Sequence, residues 1–221
     1  MARSGQPVAL EAWRNKGETR AFSPSAARNV DVISRVLSRY LKTGMRVLEL
    51  ASGTGEHGVA LTRRIDGLIW QPSDFDDAAL RSIGAWARYV GSAELLPPLR
   101  IDAGRDDWPP PEMAGFQAIV CINMFHIAPW EAGEGVLRGA GRALQSRGVL
   151  YLYGPFTRGG QHTAPSNEAF DEHLRSRDPT WGVRDVDDIA SHAQPHGLRL
   201  TEVVEMPSNN LSVVFEKVRS P

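Results

Sequence analysis

Apolar positions along this chain recur with a helical period in some stretches and as short continuous runs in others, and the switch between the two predicts its elements. Val30, Ile33, Leu37 and Tyr40 fall at i, i+3, i+7 and i+10, one stripe of an amphipathic helix. Ser23 is a candidate cap for that helix and Pro24 a candidate first residue, while Lys42-Thr43-Gly44 ends it. Residues 46–58, R-V-L-E-L-A-S-G-T-G-E-H-G, open as an apolar run carrying one acid, Glu49, then break into small residues and a glycine pair. Ala60 and Leu61 resume helical spacing, so the stretch reads as strand, tight turn and a helix over 56–64. A second strand covers 68–74 and should be ending at Pro72, which cannot donate to a ladder. Asp76 or Asp77 caps a helix to about residue 90, and a short strand follows at 99–102. Residues 116–122 are almost continuously apolar, as in a strand buried on both faces.

The second half continues the alternation. Residues 131–145 read as a helix despite their glycines, with Val136, Leu137 and Leu144 apolar. A strand at 149–153 is closed by Gly154-Pro155-Phe156. Residues 157–165 are Gly-rich and predict a mobile loop, 167–177 a short helix, and 178–185 a turn-rich insert. Asp185 or Asp187 starts a last helix reaching about residue 194. Residues 198–206 and 211–218 are two strands joined by Pro207-Ser208-Asn209-Asn210, a hairpin signal. Strands alternating with helices and closing in an antiparallel pair predict an α/β fold, Rossmann-like, with a mostly parallel sheet, an antiparallel last strand and helices on both faces.

Composition narrows the function classes. A chain of 221 residues suits a single α/β domain, taken here as 21–221 behind a polar arm or lid at 1–20. Lys+Arg 25 against Asp+Glu 26 gives a net charge of −1, which argues against a protein built to coat nucleic acid. The one cysteine, Cys121, lies inside a predicted strand and reads as a buried, inert thiol. The first residues have no apolar signal region and no run approaches a membrane span, so a cytoplasmic setting is the default expectation.

The chemistry centres on the glycine turn. Gly53 and Gly55 allow positive φ and close approach of backbone to a ligand, and the following helix presents free N–H groups to it. Gly53, Gly55 and Gly58 fit the dinucleotide fingerprint G-x-G-x-x-G, and Asp74 stands 21 residues past Gly53, where an acid grips a ribose. A nicotinamide enzyme is therefore one reading. The acid inside the strand favours another: E-L-A-S-G-T-G resembles motif I of class I methyltransferases that use S-adenosylmethionine (SAM), E/D-x-G-x-G-x-G, whose acid contacts the methionine end of the cofactor. Ala51 stands where the first glycine is common, and its small size should make this departure cheap. Asp102, after the third strand, suits an adenine contact or an ordinary loop. His126 follows the end of the fourth strand, the edge where open α/β sheets bind ligands. His192 and His196 have a metal-pair spacing, but Pro195 lies between them and a third ligand is lacking, so no metal is expected.

Longer motifs make the resemblance more specific. Residues 22–29 (F-S-P-S-A-A-R-N), 47–57 (V-L-E-L-A-S-G-T-G-E-H), 70–74 (W-Q-P-S-D), 122–130 (I-N-M-F-H-I-A-P-W), 152–156 (L-Y-G-P-F), 178–185 (D-P-T-W-G-V-R-D) and 209–215 (N-N-L-S-V-V-F) are similar to the domain-of-unknown-function 938 family, also called methyltransferase-like 26. The resemblance runs from about residue 22 to 218 and implies a class I methyltransferase fold with a seven-stranded sheet, and SAM as cofactor with S-adenosylhomocysteine (SAH) as product. It implies cofactor contacts at Glu49, Ala51, Ser52, Gly53, Thr54, Gly55 and His57, with Asn29 beside them, Asp74 on the ribose, Asp102 on adenine, and Asn123 and Met124 flanking the methyl group. His126 is the candidate general base and Tyr153 the runner-up. Arg28, Phe156, His162, Asn167, Trp181, Asn209 and Asn210 are candidate acceptor contacts, a mix suited to a small polar molecule. A non-catalytic SAM-binding module, an NAD-dependent oxidoreductase, and a methyltransferase acting on RNA or protein are the alternatives.

Overall fold

A computed structural model describes residues 19–110 and 113–218, so the arm expected over 1–20 lies outside the described residues except for Thr19 and Arg20. Helix α1 (Pro24–Leu37) starts where its cap chemistry places it, with Ser23 Oγ accepting from Ala26 N at 3.3 Å. It buries Ala26, Asn29, Ile33, Val36 and Leu37, so its inner stripe is turned slightly from the predicted one and takes in an amide. Then follow β1 (Arg46–Leu50), α2 (Glu56–Thr62), β2 (Ile69–Asp74), α3 (Asp77–Val90) and β3 (Leu99–Arg100). The second half holds β4 (Phe116–Ile122), α4 (Trp130–Ala143), β5 (Leu144–Gly154), β6 (Phe156–Arg158), β7 (Gln161–His162), α5 (Pro165–Arg177), β8 (Arg184–Asp185), α6 (Val186–Ala193), β9 (Leu198–Met206) and β10 (Asn210–Lys217).

Seven strands form one sheet in the order β3-β2-β1-β4-β5-β10-β9. β10 alone runs antiparallel, inserted between β5 and β9, so the predicted architecture is the observed one. Side chains alternate across the strands. Leu48, Leu50, Ile119, Cys121, Leu150 and Leu152 face a core closed by Val136, Leu137 and Ala140 of α4 and Ile189 of α6. Val47, Trp70, Val120 and Tyr151 face the other core, closed by Ile33 and Leu37 of α1, Val59 and Leu61 of α2 and Trp86 of α3. Glu49 shares the strand face of Val47 and is buried.

Three expectations change. β2 does not stop at Pro72 but continues to Asp74. Trp70 N donates to Glu94 O and Asp74 O accepts from Ile101 N, so residues 70, 72 and 74 turn their backbone groups toward β3. The missing N–H of Pro72 falls in the gap between the Trp70–Leu95 bridge and β3, beside Pro97-Pro98, where the ladder is interrupted anyway. The loop expected as mobile over 157–165 is a hairpin: β6 and β7 pair through Gly159 and Gly160, both at positive φ, and β6 adds β8 in parallel to make a small second sheet. Finally, the glycines of α4 are there for close approach. A Cβ on Gly135 would lie 1.7 Å from Ala103 O, and one on Gly139 would lie 2.1 Å from the buried Trp108 ring. The helix rests directly on the loop after β3, a position no larger residue permits.

Gly135→Ala should therefore lower stability by about 3 kcal/mol, overpacking outweighing better helix propensity. Gly84→Ala on α3, whose Cβ would come no nearer than 3.4 Å to the flexible Arg88 side chain, should raise stability by about 0.5–1 kcal/mol. Urea denaturation of the two variants checks both signs.

Candidate functional site

The parallel strands deliver Leu50, Asp74, Ile122 and Gly154 to one edge, and the loops that follow them build the site. After β1 the backbone turns through Ala51 (φ 53), Gly53 (φ 58) and Gly55 (φ 92) into the start of α2. Ala51 is left-handed, so the demand there is on φ rather than on size, and alanine carries a strain of about 1 kcal/mol that glycine would not. Ser52 and Ser73 knot the turn to β2: Ser52 N donates to Ser73 O, Ser73 N to Ser52 Oγ, and both hydroxyls to Glu49 O.

Asp74 sits across from the turn. Its Oδ2 accepts from Gly53 N at 2.9 Å and its Oδ1 from Asp76 N at 3.0 Å. Burial pushes its carboxyl up, against the lowering effect of these N–H groups. Glu49 is 1% exposed; burial raises its pKa to about 7, opposed by hydrogen bonds from Trp70 and Ser52 and aided by Asp74. Its Oε2 accepts from the Trp70 indole at 3.0 Å. His57, on the first turn of α2, is buried and donates from Nε2 to Asn29 Oδ1 of α1 at 2.9 Å; burial lowers its pKa to about 4. Thr54 Oγ1 and Ser23 N both donate to Glu56 Oε2, which ties the start of α1 to the turn. Asp102 is exposed and accepts from Gly104 N, capping its own loop.

The remaining candidates lie over β4 and β5. Asn123 (φ 58) donates its N–H to Tyr153 O, and Tyr153 Oη accepts from Asn210 Nδ2 at 3.2 Å. Burial keeps the Tyr153 phenol un-ionised. His126 is buried beside Gly154 and Phe170, and burial, with the Arg184 charge behind it, lowers its pKa to about 4. Asn167 Nδ2 donates to Thr163 Oγ1 and Asn209 O, and Asn209 Nδ2 to Ser166 Oγ, joining α5 to the hairpin turn. His162, on β7, lies 3.8 Å from Asp171. Arg28 stands exposed on α1.

Several candidates are buried in apolar clusters. Phe156 is buried against Phe125, Met124 lies in the same core with its sulfur 3.8 Å from the Cys121 thiol, and Trp181 anchors a small cluster with Leu174 and Val183. Their hydrophobicity, not an open wall, accounts for their places. Burial pushes the Cys121 thiol up, which fits the inert reading. His192 pairs with Glu134 at 3.2 Å, and among the described residues no group of three or more His, Cys, Asp or Glu side chains is set to hold a metal.

Three residues with no earlier role now matter. Trp70 supplies the indole for Glu49. Phe75, directly after Asp74, is 51% exposed, and Arg100 Nη1 holds its carbonyl at 2.6 Å. Arg184 donates to Phe125 O, Ala128 O and Thr180 O, and so shapes the loop that carries His126. W-Q-P-S-D and the arginine were visible as motif residues, but Glu49 lies 21 positions from Trp70 and Phe125 lies 59 from Arg184.

The shifted groups set opposite pH slopes. His57 and His126 resist protonation when folded, so the unfolded chain takes up more protons from pH about 6.5 down to about 4, and stability falls as pH drops through that window. Glu49 keeps its proton to about 7 when folded, so it removes stability as pH rises from about 4.5 to 7. Glu49→Gln should therefore gain stability relative to the parent as pH rises from 5 to 8, and His57→Gln should flatten the loss between 6.5 and 4, both read by urea midpoints.

The comparisons with known proteins agree with this geometry. A protein from Nostoc punctiforme provisionally named an O-methyltransferase superposes with a TM-score of 0.75 at 18% identity, covering 90% of this chain and 58% of that one. A protein from Galdieria sulphuraria, provisionally named a sarcosine dimethylglycine methyltransferase, gives 0.72 at 13% identity, covering 92% and 91%. The SAM-dependent methyltransferase SibL in its apo form gives 0.70 at 20% identity, covering 88% and 56%. The chain thus spans a little under three-fifths of the Nostoc and SibL proteins, and at these identities the likeness is one of fold. Residues 20–217 match the family described as a protein of unknown function, DUF938, and since that is nearly the whole chain, the protein belongs to the DUF938 family, with a class I methyltransferase-like fold.

Proposed function

We propose that this protein transfers a methyl group from SAM to a small polar molecule. The observation that carries the reading is the facing of Gly53 N and the Asp74 carboxylate at 2.9 Å, which puts an acid at the end of β2 directly across the turn after β1. Asp74 is placed to exchange that backbone partner for ribose hydroxyls. The turn from Ala51 to Gly55, with His57 and Asn29, receives the methionine end at the start of α2, where free N–H groups favour a carboxylate. Buried Glu49 suits the cationic amino group. The exposed ring of Phe75 is available to stack on adenine, with Asp102 at its amino edge. A nicotinamide enzyme would share the turn and the acid, but an antiparallel β10 inserted in the sheet, and neighbours named as methyltransferases, favour SAM.

SAM brings an activated methyl group, so the chain has to align the acceptor and keep water out. Asn123 and Tyr153 stand nearest the ends of β4 and β5, and Asn167, Asn209 and Asn210 close the far side. These are neutral hydrogen-bonding groups, matched to a small polar acceptor, with Arg28 at the rim. With its pKa near 4, His126 is a neutral imidazole at physiological pH. It orients an acceptor by taking a hydrogen bond and is too weak a base to hold the acceptor's proton.

Calorimetric titration should show SAM and SAH binding at about micromolar Kd, near −8 kcal/mol, with no binding of NAD. Asp74→Ala should weaken SAH binding about tenfold or more, the worth of hydrogen bonds to a charged group. Binding of NAD in place of SAM would overturn the reading. Turnover of SAM with a panel of small polar acceptors then separates an enzyme from a binding module.

A further inference from the structure

Trp70 is fully buried on β2, and its indole is the partner of the Glu49 carboxylate at 3.0 Å. The fold makes room for that ring. A Cβ on Gly58 of α2 would lie 2.7 Å from both Cδ1 and Nε1 of Trp70, so the third glycine of the turn motif is where the indole passes under the helix. Among the described residues, the groups that shift the Glu49 carboxyl carry no positive charge. Asp74, from the end of β2, repels it, and Ser52 and Trp70 give it neutral hydrogen bonds. Cys121 on β4, whose thiol the Glu49 charge helps to push up, is un-ionised.

A buried carboxyl without a cation is expensive to keep and expensive to misplace. An indole N–H is a donor only, so it cannot exchange roles or take the proton. It fixes the Oε2 atom of Glu49 and sets the direction in which the carboxyl faces. The cofactor of the proposed function carries an ammonium group at its amino-acid end, a charge that the described groups acting on Glu49 do not supply.

We propose that Trp70 is the positioning residue of the cofactor site, its indole N–H holding the Glu49 carboxylate for the cationic amino-acid end of the cofactor, so that the two residues act as one unit. This rests on the SAM reading of the site. It also predicts a division of labour: the Trp70–Glu49 pair serves the amino-acid end, while Asp74 and Phe75 serve the adenosine.

Two ligands separate these ends. SAH carries the amino acid; 5′-methylthioadenosine keeps the adenosine and sulfur but lacks it. Trp70→Phe keeps a ring in the core and removes the donor. Its affinity for SAH should fall about tenfold, the worth of a hydrogen bond to a charged group, while its affinity for 5′-methylthioadenosine stays within about twofold. Glu49→Gln should show the same split, and adding Trp70→Phe to it should cost little more. An equal loss for both ligands, or losses that multiply in the double variant, would overturn the proposal. Should Trp70→Phe not fold, the indole N–H resonance of Trp70 in the parent protein decides: it should move on adding SAH and not on adding 5′-methylthioadenosine, and any other pattern counts against the unit. If the parent binds neither ligand, the cofactor reading fails and takes this inference with it; if it binds both without the split, only this inference falls.

Discussion

Two carboxyl groups, Glu49 and Asp74, are buried within electrostatic reach of each other at the carboxyl edge of the sheet, and much of the surrounding structure offsets that cost. Asp74 is supplied with backbone N–H groups from Gly53 and Asp76. Glu49 is supplied with an indole. Those donors exist because the chain turns left-handed at Ala51, Gly53 and Gly55, and because Gly58 lets Trp70 pass. The same turn leads directly into the start of α2. Strain, glycine placement and buried acids are thus one arrangement, and its natural complement is a ligand with a cationic end and a ribose.

The loops over β4 and β5 are held by a different device. The β6–β7 hairpin is clasped to the start of α6 by carboxylates: Asp185 Oδ2 accepts from Thr157 Oγ1 and Gly160 N, and Asp187 Oδ2 from Gly159 N. Arg184, the residue before this clasp, reaches back to the carbonyls around His126. Asn167 and Asn209 then join α5 to the turn before β10. Each contact spans tens of residues. The result is a set of loops fastened over β4 and β5, apart from Glu49 and Asp74.

How much of this was legible depends on how local the cause is. Ser23 and Pro24 start α1, Asp76 caps α3 and Asp185 caps α6 because a cap and its N–H partners lie two or three residues apart. The run at 116–122 became β4 without adjustment because nothing but a doubly covered strand can hide it. Reading failed where the deciding partner was distant. Pro72 was expected to end β2, but the neighbouring chain happens to have no ladder there. The glycines at 157–165 suggested mobility, yet two of them form a turn whose hairpin is fastened by Asp185 and Asp187. Phe156 and Trp181 looked like pocket walls because an aromatic near a loop reads the same whether it faces a ligand or a core.

By itself, the sequence determined the order of the helices and of the seven main-sheet strands, the positive φ at Gly53 and Gly55 and the antiparallel ending, because period, capping and glycine act within a few residues of one another. Its motifs also marked W-Q-P-S-D and D-P-T-W-G-V-R-D as unusual without saying what they touch. Only the tertiary structure decided that Trp70 bonds Glu49, that Asn29 bonds His57, and that Arg184 braces the loop of His126. Those pairings depend on which strand lies beside which and on which face a side chain emerges. They also explain why burial, which no local pattern encodes, leaves His57 and His126 neutral and Glu49 holding its proton toward neutrality.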